Sequence, residues 1–222
     1  MTHNPNRRTF LSQLGAVAAT MTLDRDEMRS AVHAGSADET WDTSWLDRLA
    51  SAQYRVVFNT SEMAEGNVLS YVDEFLSDFH TVHGTTDQQT RPVVVFRRLG
   101  TPMAFNDSIW QRYAVGEDLK TRDPVTNAIA TRNIYWKPRE GATGWEARYG
   151  IEPLQRRGLI SLVCNVAMTN WANRMAERVK RDPEAVRKEV RENLIPGAIL
   201  VPSGIYGLIR AQNAGCAYMP GT

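Results

Sequence analysis

Leu159-Ile160-Ser161-Leu162-Val163-Cys164-Asn165-Val166-Ala167-Met168 is the stretch that decides the fold. Gly158 precedes it, and the polar pair Thr169-Asn170 follows it. A short, nearly continuous apolar run reads as a strand covered on both faces, as in a parallel sheet. Cys164 falls at the strand's C-terminal end. In open α/β sheets, ligands bind outside the carboxyl ends of the strands. Cys164 is therefore the candidate catalytic thiol. The competing reading is an inert core cysteine, since free Cys is among the most buried residue types.

Working outward, the pattern on both sides alternates strand and helix. Downstream, Trp171 to Lys180 reads as a helix, and Asp182-Pro183 starts another with an Asp cap and Pro in the first turn. Val186, Val190 and Leu194 mark its inner face. Ala198 to Val201 is a strand, Ile205 to Asn213 a helix, and Cys216 to Met219 a short last strand. Upstream, Arg55 to Asn59 is the first strand and Arg91 to Phe96 the second. Between them Val68, Leu69, Val72, Phe75, Leu76 and Phe79 form one apolar helical stripe that stops at Gly84. Ile151 to Arg157 is a short helix that feeds the Cys164 strand. Such alternation implies an α/β fold of three layers, α/β/α, around a mainly parallel five-stranded sheet wound as in flavodoxin.

One long interval breaks the alternation. Residues 101–150 are read as an insertion, with a helix from Met103 to Tyr113. Residues 114–150 show no clear element but carry Tyr135, Trp136, Trp145 and Tyr149. A connection of this length is usually functional or disordered, and this aromatic density argues against disorder. It reads either as a lid or partner-docking arm, or as an insertion packed over a sheet edge. Its aromatics are expected to pack against the domain or a second subunit.

The first 34 residues read as an export segment. Asn6-Arg7-Arg8-Thr9-Phe10-Leu11 resembles a bacterial twin-arginine signal, followed by an apolar segment and the small-residue site Val32-His33-Ala34. This implies a periplasmic address. Without that segment the 26 basic and 25 acidic side chains fall to equal numbers, 22 of each. Residues 35–53 read as a linker and a short docking helix, with Trp41, Trp45, Leu46 and Leu49 near one face. Residues 54–222 form the domain proper. No apolar run reaches the roughly 18 residues of a membrane span. No basic stripe interleaved with aromatics suggests nucleic acid.

The C-terminal third carries Val163-Cys164-Asn165, Leu194-Ile195-Pro196-Gly197, Val201-Pro202-Ser203-Gly204 and Gly215-Cys216-Ala217-Tyr218. These pieces resemble the DsrE/DsrF-like family of small sulfur-handling proteins, across residues 54–100 and 150–220. The resemblance implies an α/β/α domain with a five-stranded sheet, often assembled into oligomers. It also implies a strand-end cysteine that carries sulfur as a persulfide, a role that would fall to Cys164. The sequence departs from the family in the length of residues 101–150 and in Cys216, where a large apolar residue is common.

Two functions are weighed on this basis. One is a periplasmic sulfur carrier or sulfurtransferase-like protein using Cys164. The other is a non-catalytic binding or assembly module that docks a partner through the 101–150 arm. A homo-oligomer or protein partner is expected, with a sulfur-donor protein or small sulfur anion as the partner in sulfur transfer. No cofactor motif of the Walker or G-x-G-x-x-G kind occurs.

Asn165 is a candidate ligand-binding residue, or a cap for the following turn. Ser203 and Gly204 stand before a helix, where free N–H groups can hold an anion and where a serine also caps. His80 and His83 are spaced i and i+3, but no further ligand accompanies them, and no metal site is expected. If the strands run parallel, Cys164 and Cys216 lie at opposite sheet edges and form no disulfide. By the same topology the histidines lie away from Cys164. Activation of the thiol is then assigned to the N-terminus of the helix beginning around Thr169 to Trp171.

Overall fold

A computed structural model describes residues 41–221; residues 1–40, with the expected export signal and the first part of the linker, and Thr222 lie outside the described residues. Among the described residues, chain order begins with α1 (Trp45–Ala50) and β1 (Tyr54–Thr60), then a 3-10 turn and α2 (Asn67–His83). β2 (Thr90–Phe96) leads into a 3-10 segment (Arg98–Ala104), α3 (Asp107–Arg112), α4 (Val115–Leu119), α5 (Gly144–Tyr149) and α6 (Ile151–Arg156). Then come β3 (Ile160–Cys164), α7 (Asn165–Val179), α8 (Pro183–Glu192), β4 (Ala198–Val201), α9 (Gly204–Asn213) and β5 (Ala217–Pro220).

The five strands form one sheet in the order β4-β3-β2-β1-β5, with every pairing parallel. Helices cover both faces, so the fold is a three-layer α/β/α sandwich. Successive side chains on a strand point to opposite faces. Accordingly Val56, Phe58, Val94, Phe96 and Val163 join the core under α2, α7 and α8. Val57, Val93, Val95, Ile160 and Leu162 join the core on the other side. There α9 contributes Leu208 and Ala211, and α1 contributes Trp45 and Leu49, both fully buried. β3 is buried at all five positions, which is why its sequence runs apolar without alternation.

The 101–150 segment differs from the single helix expected over Met103 to Tyr113. Pro102 and the buried run to Ala104 hold a 3-10 segment, and the helix that follows is restarted by Asn106, whose side chain accepts the Ile109 N–H. Beyond it, a stretch without a legible element folds into short helices pinned to the domain. Trp110, Tyr113 and Tyr135 are buried in the main core, and Trp136, Trp145 and Tyr149 pack against it. Asn133 is fully buried and satisfied: its Nδ2 donates to the carbonyls of Met103 and Phe105 at 2.8 and 2.7 Å, and its Oδ1 accepts the Tyr135 N–H at 2.9 Å. Gly116 is required by close approach, since a Cβ there would lie 2.0 Å from the Ala130 carbonyl oxygen. The insertion's aromatic side chains thus complete the chain's own core.

Cys164 ends β3, whereas Cys216 stands just before β5 begins, so the thiols lie at opposite ends of the strands. Two strands, β2 and β1, also separate them, which adds roughly 14 Å at the usual inter-strand spacing. A disulfide needs Cα atoms within about 7 Å, and both cysteines are free. Thiol counting on unfolded, unreduced protein should therefore find two free thiols; a count of zero would contradict this arrangement.

Candidate functional site

β3 and β4 are neighbours, but the helices that follow them leave on opposite faces. α7 buries Met168, Trp171 and Met175 on one side of the sheet, and α9 buries Leu208 and Ala211 on the other. Divergence of this kind opens a crevice outside the strand carboxyl ends. A cleft of about 690 Å³ lies there, with Cys164, Ser203 and Gly204 in its lining. The register explains why the three meet. Phe96 pairs with Val163 and Cys164 with Val201, so the segments leaving β2, β3 and β4 start level with one another.

Cys164 is the N-cap of α7, and the Ala167 N–H donates to its Sγ at 3.4 Å. The helix thus begins at Asn165, several residues earlier than the expected start at Thr169 to Trp171. Asn165 and Val166 are half-buried, Ala167 lines the cleft and Met168 joins the core, so the apolar letters after Cys164 belong to the helix. Helix N-terminal N–H groups and their dipole favour negative charge beside them. The residue is 6% exposed, yet it lines an open cleft.

Ser203 caps α9 by accepting the Tyr206 N–H at 3.1 Å. Gly204 serves packing as well as position: a Cβ there would come within 3.0 Å of the Arg97 side chain. Asn165 does not line the cleft, and its Oδ1 accepts from Arg191 at 3.3 Å. His83 stacks on Tyr54, the first residue of β1, and His80 Nε2 lies 3.2 Å from Asp87 Oδ1. Both histidines therefore sit at the N-terminal edge of the sheet, away from Cys164. Replacing both by Ala should leave the pH profile of Cys164 alkylation unchanged. A shifted profile would require a histidine near the thiol. Among the described residues no group of three or more His, Cys, Asp or Glu could hold a metal ion.

Three arginines that the sequence reading passed over also line the cleft: Arg97, Arg98 and Arg174. Arg97 Nη1 donates to the neutral Asn59 Oδ1 at 3.3 Å. Arg174 stacks over the Trp171 ring, 4.0 Å from its centroid. Among the described residues none of the three pairs with a carboxylate, and no carboxylate lines the cleft. Arg98 adopts a left-handed backbone, φ 50°, unusual outside glycine and costing about 1 kcal/mol. In that conformation its carbonyl accepts the Trp171 Nε1–H at 2.9 Å, which fixes the ring as a wall of the cleft. A signal was available: Arg97-Arg98 directly follows a parallel strand, at the edge that already held Cys164. At the other cysteine, burial pushes the Cys216 thiol up to about 11 despite Arg55 nearby.

No known protein family matches the chain, and no curated protein matches it. Among solved structures, a protein of unknown function from Methanobacterium thermoautotrophicum, MTH1491, is similar over 75% of this chain and 98% of its own, at 17% identity and a TM-score of 0.37.

Proposed function

We propose that the protein is a DsrE-like sulfur carrier, or sulfurtransferase-like protein, that loads sulfur on Cys164. The observation that carries this reading is a thiol at the head of a 15-residue helix, facing an open cleft lined by three arginines without acidic partners. In the reaction, the Cys164 thiolate attacks the outer sulfur of a donor persulfide R–S–SH. The donor's S–S bond breaks, R–SH leaves with the proton, and Cys164 is left as a persulfide. No oxidant or reductant is consumed. The cleft arginines would hold a negatively charged donor or leaving group beside the sulfur.

The twin-arginine-like segment supports a periplasmic site of action. Among the described residues no helix is long and apolar enough to cross a membrane. An oligomer or a sulfur-donor protein remains the proposed partner. The alternative of an assembly module docking through residues 101–150 is less favoured, because that segment's aromatics are packed into the chain's own core.

Incubation with inorganic polysulfide, followed by peptide mass spectrometry, tests the reading. A gain of about 32 Da on the Cys164 peptide, removed by reductant, is expected. Absence of that gain, with the thiol still alkylatable, would overturn it.

A further inference from the structure

A second cleft of about 590 Å³ adjoins the first, and the two share Leu99, Trp171 and Arg174. Its chemistry differs from that of its neighbour. Glu62, from the segment after β1, and Asp118, from α4, contribute carboxylates that the Cys164 cleft lacks. Asp118 is paired with Arg178, whereas the half-buried Glu62 side chain has no hydrogen-bonding or ion-pair partner among the described residues. Met63, Leu99, Leu119 and the Trp171 ring form the apolar floor between the charged ends.

We propose that the two clefts together bind an elongated zwitterionic thiol of low molecular weight, with its ammonium group on Glu62 and carboxylate on the Arg98 and Arg174 side. For the placement of the sulfur next to Cys164, this rests on the thiol reading above. The charge pattern argues for such a ligand. A purely anionic donor would use the three arginines and leave Glu62 unanswered. A purely cationic one would be repelled by Arg97, Arg98 and Arg174. A molecule with both signs, joined by a few methylenes that lie on the Trp171 and Leu99 wall, matches both ends. A short peptide thiol, with an ammonium near one end and its C-terminal carboxylate at the other, has this form. Its persulfide would present the outer sulfur to Cys164 and leave as the free thiol, in the balanced exchange already written.

Calorimetric titration of the wild-type protein with S-methylglutathione, which binds without reacting, tests the proposal. Saturable binding is expected. Glu62→Gln and Arg98→Ala should each weaken it about tenfold, the worth of one charge-assisted hydrogen bond. The analogue lacking the amino group should bind more weakly to wild type and be indifferent to Glu62→Gln. Absence of binding at millimolar ligand, or equal affinity for wild type and Glu62→Gln, would overturn the proposal. Sulfur loading by inorganic polysulfide needs no such ligand. A protein that loads on Cys164 but does not bind S-methylglutathione therefore refutes this inference alone, and one that binds but does not load refutes the thiol reading alone.

Discussion

Cys164→Ser is expected to abolish sulfur loading, with a fall of at least about a hundredfold in incorporated sulfur, because the nucleophile is lost while its surroundings are kept. Serine is a favoured N-cap, so its hydroxyl oxygen can accept the Ala167 N–H that Sγ accepts now. The variant should therefore fold with stability within about 1 kcal/mol of wild type, and the lost loading would report chemistry and not unfolding. Cys216→Ser is the matched control. Cys216 is buried at the far edge of the sheet, and its thiol is pushed up to about 11. At pH 8 only about one such thiol in a thousand is ionised, and the thiolate is the attacking species. The Cys216 variant should load as wild type does. If it lost loading and the Cys164 variant kept it, the assignment of the site would be reversed.

The sheet was legible because β3 must be covered on both faces. That requirement wrote five buried positions into Ile160 to Cys164 and placed the thiol at the carboxyl edge. Ser203 was legible as a cap for the same local reason that Asp182 was, since both precede a helix and can accept an N–H from its first turn. The start of α7 was not legible. Val166 to Met168 is apolar whether it extends a strand or opens a helix, and only the turn at Cys164 separates the two. The arginines of the cleft were missed because charge near a strand end carries no period. Their convergence depends on the level register of three strands and on Gly204 admitting the Arg97 stem. The insertion hid its helices for another reason. Each is five or six residues long, too short for a 3.6-residue pattern to emerge from at most two buried apolar residues, and polar pins such as Asn133 and Glu146 help to hold the segment.

Glu146→Gln is expected to loosen that insertion at a cost of about 2 kcal/mol, the usual worth of a hydrogen bond to a charged group. Glu146 is 6% exposed and accepts from Arg132 Nη2 at 2.7 Å, from Arg139 Nη2 at 2.9 Å and from the Arg139 backbone N–H at 3.1 Å. Asp123 completes the cluster, 3.3 Å from Arg132, and its Oδ1 accepts the N–H groups of Val125 and Thr126. Burial alone would raise the Glu146 carboxyl, but the hydrogen bonds from Arg139 and the charge of Arg132 outweigh it and hold it below its ordinary 4.5. For Asp123, burial is likewise outweighed by the backbone N–H bonds and the two arginines, so it too is held below its ordinary 3.8. Carboxyls depressed in the folded state stabilise it fully above their unfolded values and cease to do so as pH falls through the depressed ones. The cluster should therefore contribute throughout neutral pH and fade only in acid, as pH falls below the ordinary 4.5 and 3.8 and through the depressed values. Thermal unfolding at pH 7 should place Glu146→Gln roughly 4–8 °C below wild type, and the gap should narrow in acid. Native proteolysis of the variant should cut first between residues 120 and 147, where the insertion loses its anchor. Equal melting temperatures at pH 7, or a gap that does not narrow in acid, would show that the packed aromatics alone hold the segment in place.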